Sequence, residues 1–132
     1  MMASGRARVK RVYDPPSRLD GRRILVDGLW PRGVSRKTAR IDEWARDLAP
    51  STRLRQWFGH DPARWPEFQK RYRAELRTRS DRLAWLAGLA RRGRITLVYA
   101  ARDTDHNNAR ALQRLIAKRL RRRAPRWRDT GR

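Results

Sequence analysis

Residues 94–117 constrain the fold most, because they change from an apolar run to a polar loop and then to an amphipathic pattern. The apolar part, residues 95–100, is typical of a buried strand. From Ala109 onward, apolar residues recur at helical spacing. Open α/β sheets bind ligands at the carboxyl ends of their strands and the amino ends of their helices. The polar loop at residues 101–108 is therefore a candidate ligand-binding segment.

Two further segments, residues 8–13 and 23–27, are predicted to be strands, and the long segment 40–92 is predicted to be helical. A helical crossover joins parallel strands, so the strands at 23–27 and 95–100 should run in the same direction. A chain of 132 residues suits one domain. We therefore predict an α/β protein with a small single-domain layer fold, in which helices flank a short, mainly parallel sheet.

The helical segment is predicted to contain several short helices. Ile41, Trp44 and Leu48 have helical spacing and precede Pro50, so they indicate the first helix. Three more helix starts are indicated by residues that commonly begin helices: Ser51, Asp61 before Pro62, and Ser80.

A right-handed crossover brings the loops after Val26 and Tyr99 to the same edge of the sheet. The first strand joins that edge if it runs in the same direction. Arginine side chains and a helix N-terminus there favour an anionic ligand such as a phosphate or a carboxylate. The two candidate catalytic acid–base groups are Asp27 and Asp103. The candidate ligand-binding residues are Lys10, Arg11, Tyr13, Asp14, Trp30, Arg32, Arg102, His106 and Asn107.

The same side chains also fit structural interpretations. Arg–Asp pairs are commonly structural, and a surface histidine such as His106 commonly has no catalytic role. Trp30 can stack on a base or pack beneath its own loop. Four short polar side chains can simply cap the helix that follows them: Asp103, Asp105, Asn107 and Asn108. The sequence leaves these alternatives open.

The composition excludes several kinds of chemistry. The chain has no cysteine, which rules out disulfides, thiolate metal ligands and a cysteine nucleophile. Its two histidines and dispersed aspartates do not form a metal-ligand pattern, so we predict no metal site, and the sequence identifies no cofactor. Because no signal-peptide core or membrane-spanning run is present, we expect a soluble cytoplasmic protein without a membrane partner.

The net charge of +22 favours a polyanionic partner such as a nucleic acid. Only four of the 35 basic residues are lysines, and the arginines occur in nearly every segment, which also fits a compositional bias. The basic residues are most concentrated near the C-terminus, and we predict that residues 121–132 form a basic, flexible tail beyond a domain of residues 1–120.

Five ordered motifs resemble the YeaO-like branch of a bacterial domain-of-unknown-function family, number four-eight-eight. The resemblance extends from about Val9 to Leu120 and is carried by residues 10–16, 25–33, 54–62, 68–76 and 96–107. It implies a compact α/β domain in the bacterial cytoplasm and carries no established activity. The family usually has an arginine where this chain has Gly28, so one loop cation is missing here. Related branches carry a cysteine in the last strand-exit loop, and this chain does not.

Three functional hypotheses follow. The first is a small enzyme or binding protein for an anionic ligand containing a phosphate or a nucleotide, held at the strand-exit loops. The second is a nucleic-acid-binding accessory protein that uses the arginine-rich surface. The third is an interaction scaffold without chemistry. The sequence does not decide whether any reaction is catalysed.

Overall fold

The computed structural model describes residues 7–130, with side chains described for residues 7–122. Short 3-10 helices at Arg18–Asp20, Arg46–Leu48, Pro62–Arg64 and Arg77–Arg79 connect the main elements. The strands and α-helices of the described residues are, in chain order, β1 (Ala7–Arg11), β2 (Arg22–Leu25), α1 (Arg36–Ala39), β3 (Glu43–Trp44), α2 (Thr52–Phe58), α3 (Trp65–Leu76), α4 (Ser80–Arg92), β4 (Ile95–Tyr99) and α5 (Asn108–Thr130).

The strands form one sheet in the order β1-β4-β2-β3, and each neighbouring pair is parallel. All five residues of the central strand β4 are buried, as its continuous apolar sequence predicts. The predicted α/β layer fold with a short parallel sheet flanked by helices is confirmed. Because β1 and β2 both run parallel to β4, the carboxyl ends of these three strands lie at the same edge of the sheet.

The predicted helix carrying Ile41, Trp44 and Leu48 is wrong. Residues 43–44 instead form β3, in which Trp44 is paired with Leu25 of β2. Ala45 extends this contact by donating its backbone N–H to the Leu25 carbonyl at 2.8 Å. The backbone groups of residues 43–45, which a helix would have paired internally, are thus paired with the open edge of β2. Here pairing with a distant strand overrides a short helical pattern in the sequence.

Helices α3, α4 and α5 cover one face of the sheet and bury the larger part of the core, which includes Phe68, Leu86 and Ile116. A smaller cluster on the other face contains Leu25 and Val98. Trp30, from the loop after β2, and Trp44 of β3 pack against it. No helix formed by residues 7–130 combines the length and apolar character needed to cross a membrane.

Several predicted helix starts are confirmed. The Ser51 hydroxyl accepts a hydrogen bond from the Leu54 N–H at the start of α2. The Asp61 carboxylate accepts one from the Ala63 N–H, which begins the 3-10 helix Pro62–Arg64 that leads into α3 at Trp65. Helix α4 begins at Ser80. Helix α5 extends to Thr130, although side chains beyond Arg122 and the last two residues lie outside the described part. The division into a domain of residues 1–120 and a tail of residues 121–132 stays a prediction.

Candidate functional site

The loops that leave β2 and β4 are joined by side-chain hydrogen bonds. The Asp27 carboxylate accepts from the Ala100 N–H at 2.9 Å, which links the two strand ends directly. The Asn108 amide donates to the Val26 carbonyl at 3.0 Å and to Asp27 Oδ1 at 3.1 Å, which brings the start of α5 to the same place. The predicted meeting of these loops at one edge is therefore confirmed.

A cavity of about 700 Å³ opens beside these loops, and we call it the strand-exit cavity. Its walls come from the β2 and β4 exit loops, from Tyr13 after β1, and from α2 and α3 with the turn between them. The sequence-predicted residues that line it are Tyr13, Asp27, Trp30, Arg32, Arg102, Asp103, His106 and Asn107. Whether they contact a ligand stays a prediction.

Three candidate residues do not line this cavity. Lys10 pairs with the buried carboxylate of Asp20 at 3.1 Å. Arg11 donates from Nε to the Ala101 carbonyl at 2.9 Å, so its guanidinium group is hydrogen-bonded to the backbone of the loop that follows β4. Asp14 lies in the turn after β1, where its backbone N–H donates to the Arg11 carbonyl.

The wall contributed by α2 and the turn after it was missed from sequence. It brings Arg55, Phe58 and His60 to the cavity, and α3 adds Phe68. The motif at residues 54–62 was a usable signal, because it is one of the stretches that carry the family resemblance. Its position opposite the strand exits depends on how α2 packs on α3.

Three arginines line the cavity without a neutralising partner. Within the described part of the chain, the guanidinium groups of Arg32, Arg55 and Arg102 make no hydrogen bond and no salt bridge. All three residues are exposed, and Arg55 acts on Asp27 only through its electrostatic field. Unpaired guanidinium groups around one cavity form an arrangement suited to an anion.

Asp27 is held mainly by structural bonds. Burial raises the pKa of its carboxyl, whereas the bonds from the Ala100 N–H and the Asn108 amide act in the opposite direction, as do Arg55 and His60. Each carboxylate oxygen accepts one of these two hydrogen bonds. Asp27 therefore fastens the strand exits together.

Asp103 and His106 form a carboxylate–imidazole pair beside the cavity. His106 Nδ1 lies 2.9 Å from Asp103 Oδ2, and Asp103 Oδ1 accepts the backbone N–H groups of Asp105 and His106. The hydrogen bond with His106 lowers the pKa of Asp103, and the backbone bonds add to the effect. The His106 and Trp65 rings pack in a T-shaped arrangement with 5.4 Å between their centroids, so this imidazole has a defined orientation.

Asn107 and Trp30 have structural contacts that account for their polar atoms. Asn107 is 2% exposed, and its amide oxygen caps α5 by accepting the Arg110 N–H at 2.8 Å. Its amide nitrogen donates to the Asp103 carbonyl. The Trp30 indole N–H donates to the Val34 carbonyl at 2.7 Å. The capping interpretation is thus realised at Asn107, and the Trp30 indole is fastened to its own loop.

No group of three or more metal-ligating side chains occurs among the described residues. Among the described residues, the cavity combines three arginines whose guanidinium groups make no hydrogen bond or salt bridge, two carboxylates already engaged in hydrogen bonds, an oriented imidazole, and an aromatic floor formed by the stacked rings of Phe58 and Phe68. Such a set can bind a small anion through charge-assisted hydrogen bonds and can contact an apolar group deeper in the cavity.

Comparison with known proteins gives a consistent family result. A family model described as the inactive DUF488-N3 subclade matches residues 6–130. The uncharacterized protein YeaO of Escherichia coli is 42% identical over 103 residues, which cover 78% of this chain and 90% of YeaO. The uncharacterized protein Rv3073c of Mycobacterium tuberculosis is 40% identical over 116 residues, covering 88% of this chain and 98% of Rv3073c. No solved structure matches.

Proposed function

Because the chain belongs to the DUF488 family, within a subclade described as inactive, we propose that it binds a small phosphate-containing anion without transforming it. The ligand occupies the strand-exit cavity. The chain's lack of cysteine removes one kind of nucleophile, and hydrogen bonds already occupy both oxygens of Asp27. These features favour binding over catalysis.

The observation that carries the proposal is that the guanidinium groups of Arg32, Arg55 and Arg102 surround one cavity and have no hydrogen-bond or salt-bridge partner among the side chains described for residues 7–122. Arginine recognises phosphate oxygens through paired N–H donors. The start of α5 lies at the same edge, since Asn107 and Asn108 line the cavity. A helix N-terminus adds a favourable field for negative charge. Two features, the three arginines and the start of α5, thus favour an anion in this cavity.

Isothermal titration calorimetry with inorganic phosphate and ribose 5-phosphate tests this proposal. Arg32→Ala, Arg55→Ala and Arg102→Ala should each weaken binding of ribose 5-phosphate about tenfold, because each removes one charge-assisted contact. Arg73→Ala is the matched control, since Arg73 is an exposed arginine outside the cavity. Failure of both probes to bind in the millimolar range, or equal losses in the control, would contradict the proposal.

A second candidate function is nucleic-acid binding. Helix α5 exposes Arg114, Lys118 and Arg121 at helical spacing, which gives one basic face among the described side chains. Counterion release predicts that affinity for a DNA duplex falls steeply as the salt concentration rises. Lys118→Ala should make the plot of log affinity against log salt concentration less steep, by the amount expected for the loss of about one phosphate contact. If the chain does not bind the DNA duplex even at low salt, this function is excluded.

A further inference from the structure

Resting on the anion site proposed above, we propose that the ligand is a nucleoside monophosphate unit, whose base stacks at an apolar lip of the cavity while its phosphate meets the arginines. The lip consists of Tyr13 and Leu29. The unit is either a free nucleotide or the phosphorylated end of a nucleic-acid strand, since both present the same chemistry.

The first observation is the exposure of the lip. Three large apolar side chains are strongly exposed among the described residues: Tyr13 at 47%, Leu19 at 58% and Leu29 at 63%. Two of these three, Tyr13 and Leu29, line the same cavity. Exposed apolar surface beside a polar cavity indicates a contact that is completed by a ligand.

The second observation is the orientation of Tyr13 relative to the cations. Its hydroxyl donates to the Arg32 backbone carbonyl at 3.0 Å, so the ring is hydrogen-bonded to the loop that carries one of the three cavity arginines. Arg11 lies over the Tyr13 ring at 5.0 Å, and no other ring contact of Tyr13 is found within residues 7–122. A cation on one face of an aromatic ring is compatible with a base stacked on the other.

The third observation is the aromatic floor. Phe58 and Phe68 stack at 4.5 Å between centroids, both are buried, and both line the cavity. The nucleoside part of a nucleoside monophosphate carries an apolar ring surface that inorganic phosphate and a phosphosugar lack, so a cavity with apolar rings in its wall favours it. In the proposed pose the phosphate meets the arginines and the base meets the lip, and the volume of about 700 Å³ suits a small molecule.

The test compares five probes on the full chain by calorimetry: adenosine 5′-monophosphate, ribose 5-phosphate, adenosine, and a short single strand in two forms, with and without a 5′-phosphate. We expect adenosine 5′-monophosphate to bind at least five times more tightly than ribose 5-phosphate, because base stacking adds to the phosphate contact. Leu29→Ala should remove most of this preference, because it truncates the apolar lip and leaves the three arginines in place. Leu19→Ala is the matched control, since Leu19 is equally exposed but lies outside the cavity.

The outcomes separate the two proposals. Equal affinity for adenosine 5′-monophosphate and ribose 5-phosphate overturns the nucleotide inference and leaves the anion site standing. Binding of adenosine without any effect of the phosphate overturns the anion site itself, and both proposals fail if no probe binds. Tighter binding of the 5′-phosphorylated strand than of its 5′-hydroxyl form, lost in Leu29→Ala, identifies a strand end as the source. Equal binding of both strands, with no preference for adenosine 5′-monophosphate, indicates backbone attraction alone and overturns the inference.

Discussion

Gly21, at the turn into β2, has a backbone φ of +64°, and a Cβ atom there would lie 2.1 Å from the Arg94 carbonyl oxygen. We expect Gly21→Ala to lower the free energy of unfolding by about 3 kcal/mol, because it combines strained backbone with a clash against backbone that cannot move away. Urea denaturation measures the change. Gly33→Ala is the control: φ is also positive, at +75°, but no atom lies within 4 Å of the added Cβ. It should cost only about 1 kcal/mol, and equal losses would contradict the role of the clash.

The pKa values of the two cavity aspartates should be shifted in opposite directions from the ordinary value. Burial raises the pKa of Asp27 above the ordinary value of 3.8, so the free energy of unfolding decreases as the pH rises through the interval between these two values. The hydrogen bond with His106 lowers the pKa of Asp103, so the stability it contributes is present above 3.8 and is lost as the pH falls through the lowered pKa. Carboxyl carbon NMR titration measures both midpoints. Two midpoints on the same side of 3.8 would contradict this assignment.

At the scale of elements, α2 matters because it supplies a wall of the strand-exit cavity, and its N-cap residue Ser51 is hydrogen-bonded to α3. Ser51 caps α2 through the Leu54 N–H and also donates from Oγ to the Glu75 carboxylate of α3 at 2.6 Å. The Ser51 N–H donates to the other Glu75 oxygen at 2.8 Å. One residue therefore both caps α2 and binds α3, and its hydroxyl takes part in both contacts.

We expect Ser51→Ala to lower the free energy of unfolding by about 1–2 kcal/mol, since it removes an N-cap and a charge-assisted hydrogen bond together. Thermal and chemical denaturation measure the loss. Ser35→Ala is the matched control, because Ser35 caps the short helix α1 through the Thr38 N–H and makes no bond to a carboxylate. It should cost about half as much. A larger loss at Ser35 than at Ser51 would show that the contact with Glu75 contributes nothing.

The elements also differ in how far sequence predicts them. Ser51 and Asp61 begin their helices through hydrogen bonds to residues two or three positions away, so a local signal was sufficient. β3 has no such signal, because its two residues become a strand only by pairing with Leu25 and its neighbour in β2. A two-residue strand depends on the partner edge and is invisible to periodicity.

At the scale of the whole molecule, a net charge of +22 on 132 residues should oppose compact folding through mutual repulsion. Raising NaCl from 10 mM to 100 mM shortens the screening length from about 30 Å to about 10 Å. We expect the melting temperature to rise by about 4 °C, which corresponds to about 1 kcal/mol. Differential scanning calorimetry measures the shift.

The control for this prediction removes positive charge without touching the cavity. The triple variant Arg53→Gln, Arg73→Gln and Arg79→Gln changes exposed arginines that do not line the strand-exit cavity. Its melting temperature should respond less to salt than that of the unmodified chain. A melting temperature that falls with salt would show that attractive exposed pairs, such as Arg71 with Glu67 at 2.9 Å, outweigh the repulsion.

The sequence by itself determined the parallel sheet, the meeting of two strand-exit loops and most of the polar groups around them. Periodicity, caps and the handedness of crossovers act over short distances or follow general chain geometry, so they can be read without coordinates. Only the tertiary structure decided that α2 brings Arg55 and His60 to the cavity, and that Lys10 turns away to Asp20. Those outcomes depend on how side chains from distant segments share space and hydrogen-bond partners, which no local pattern encodes.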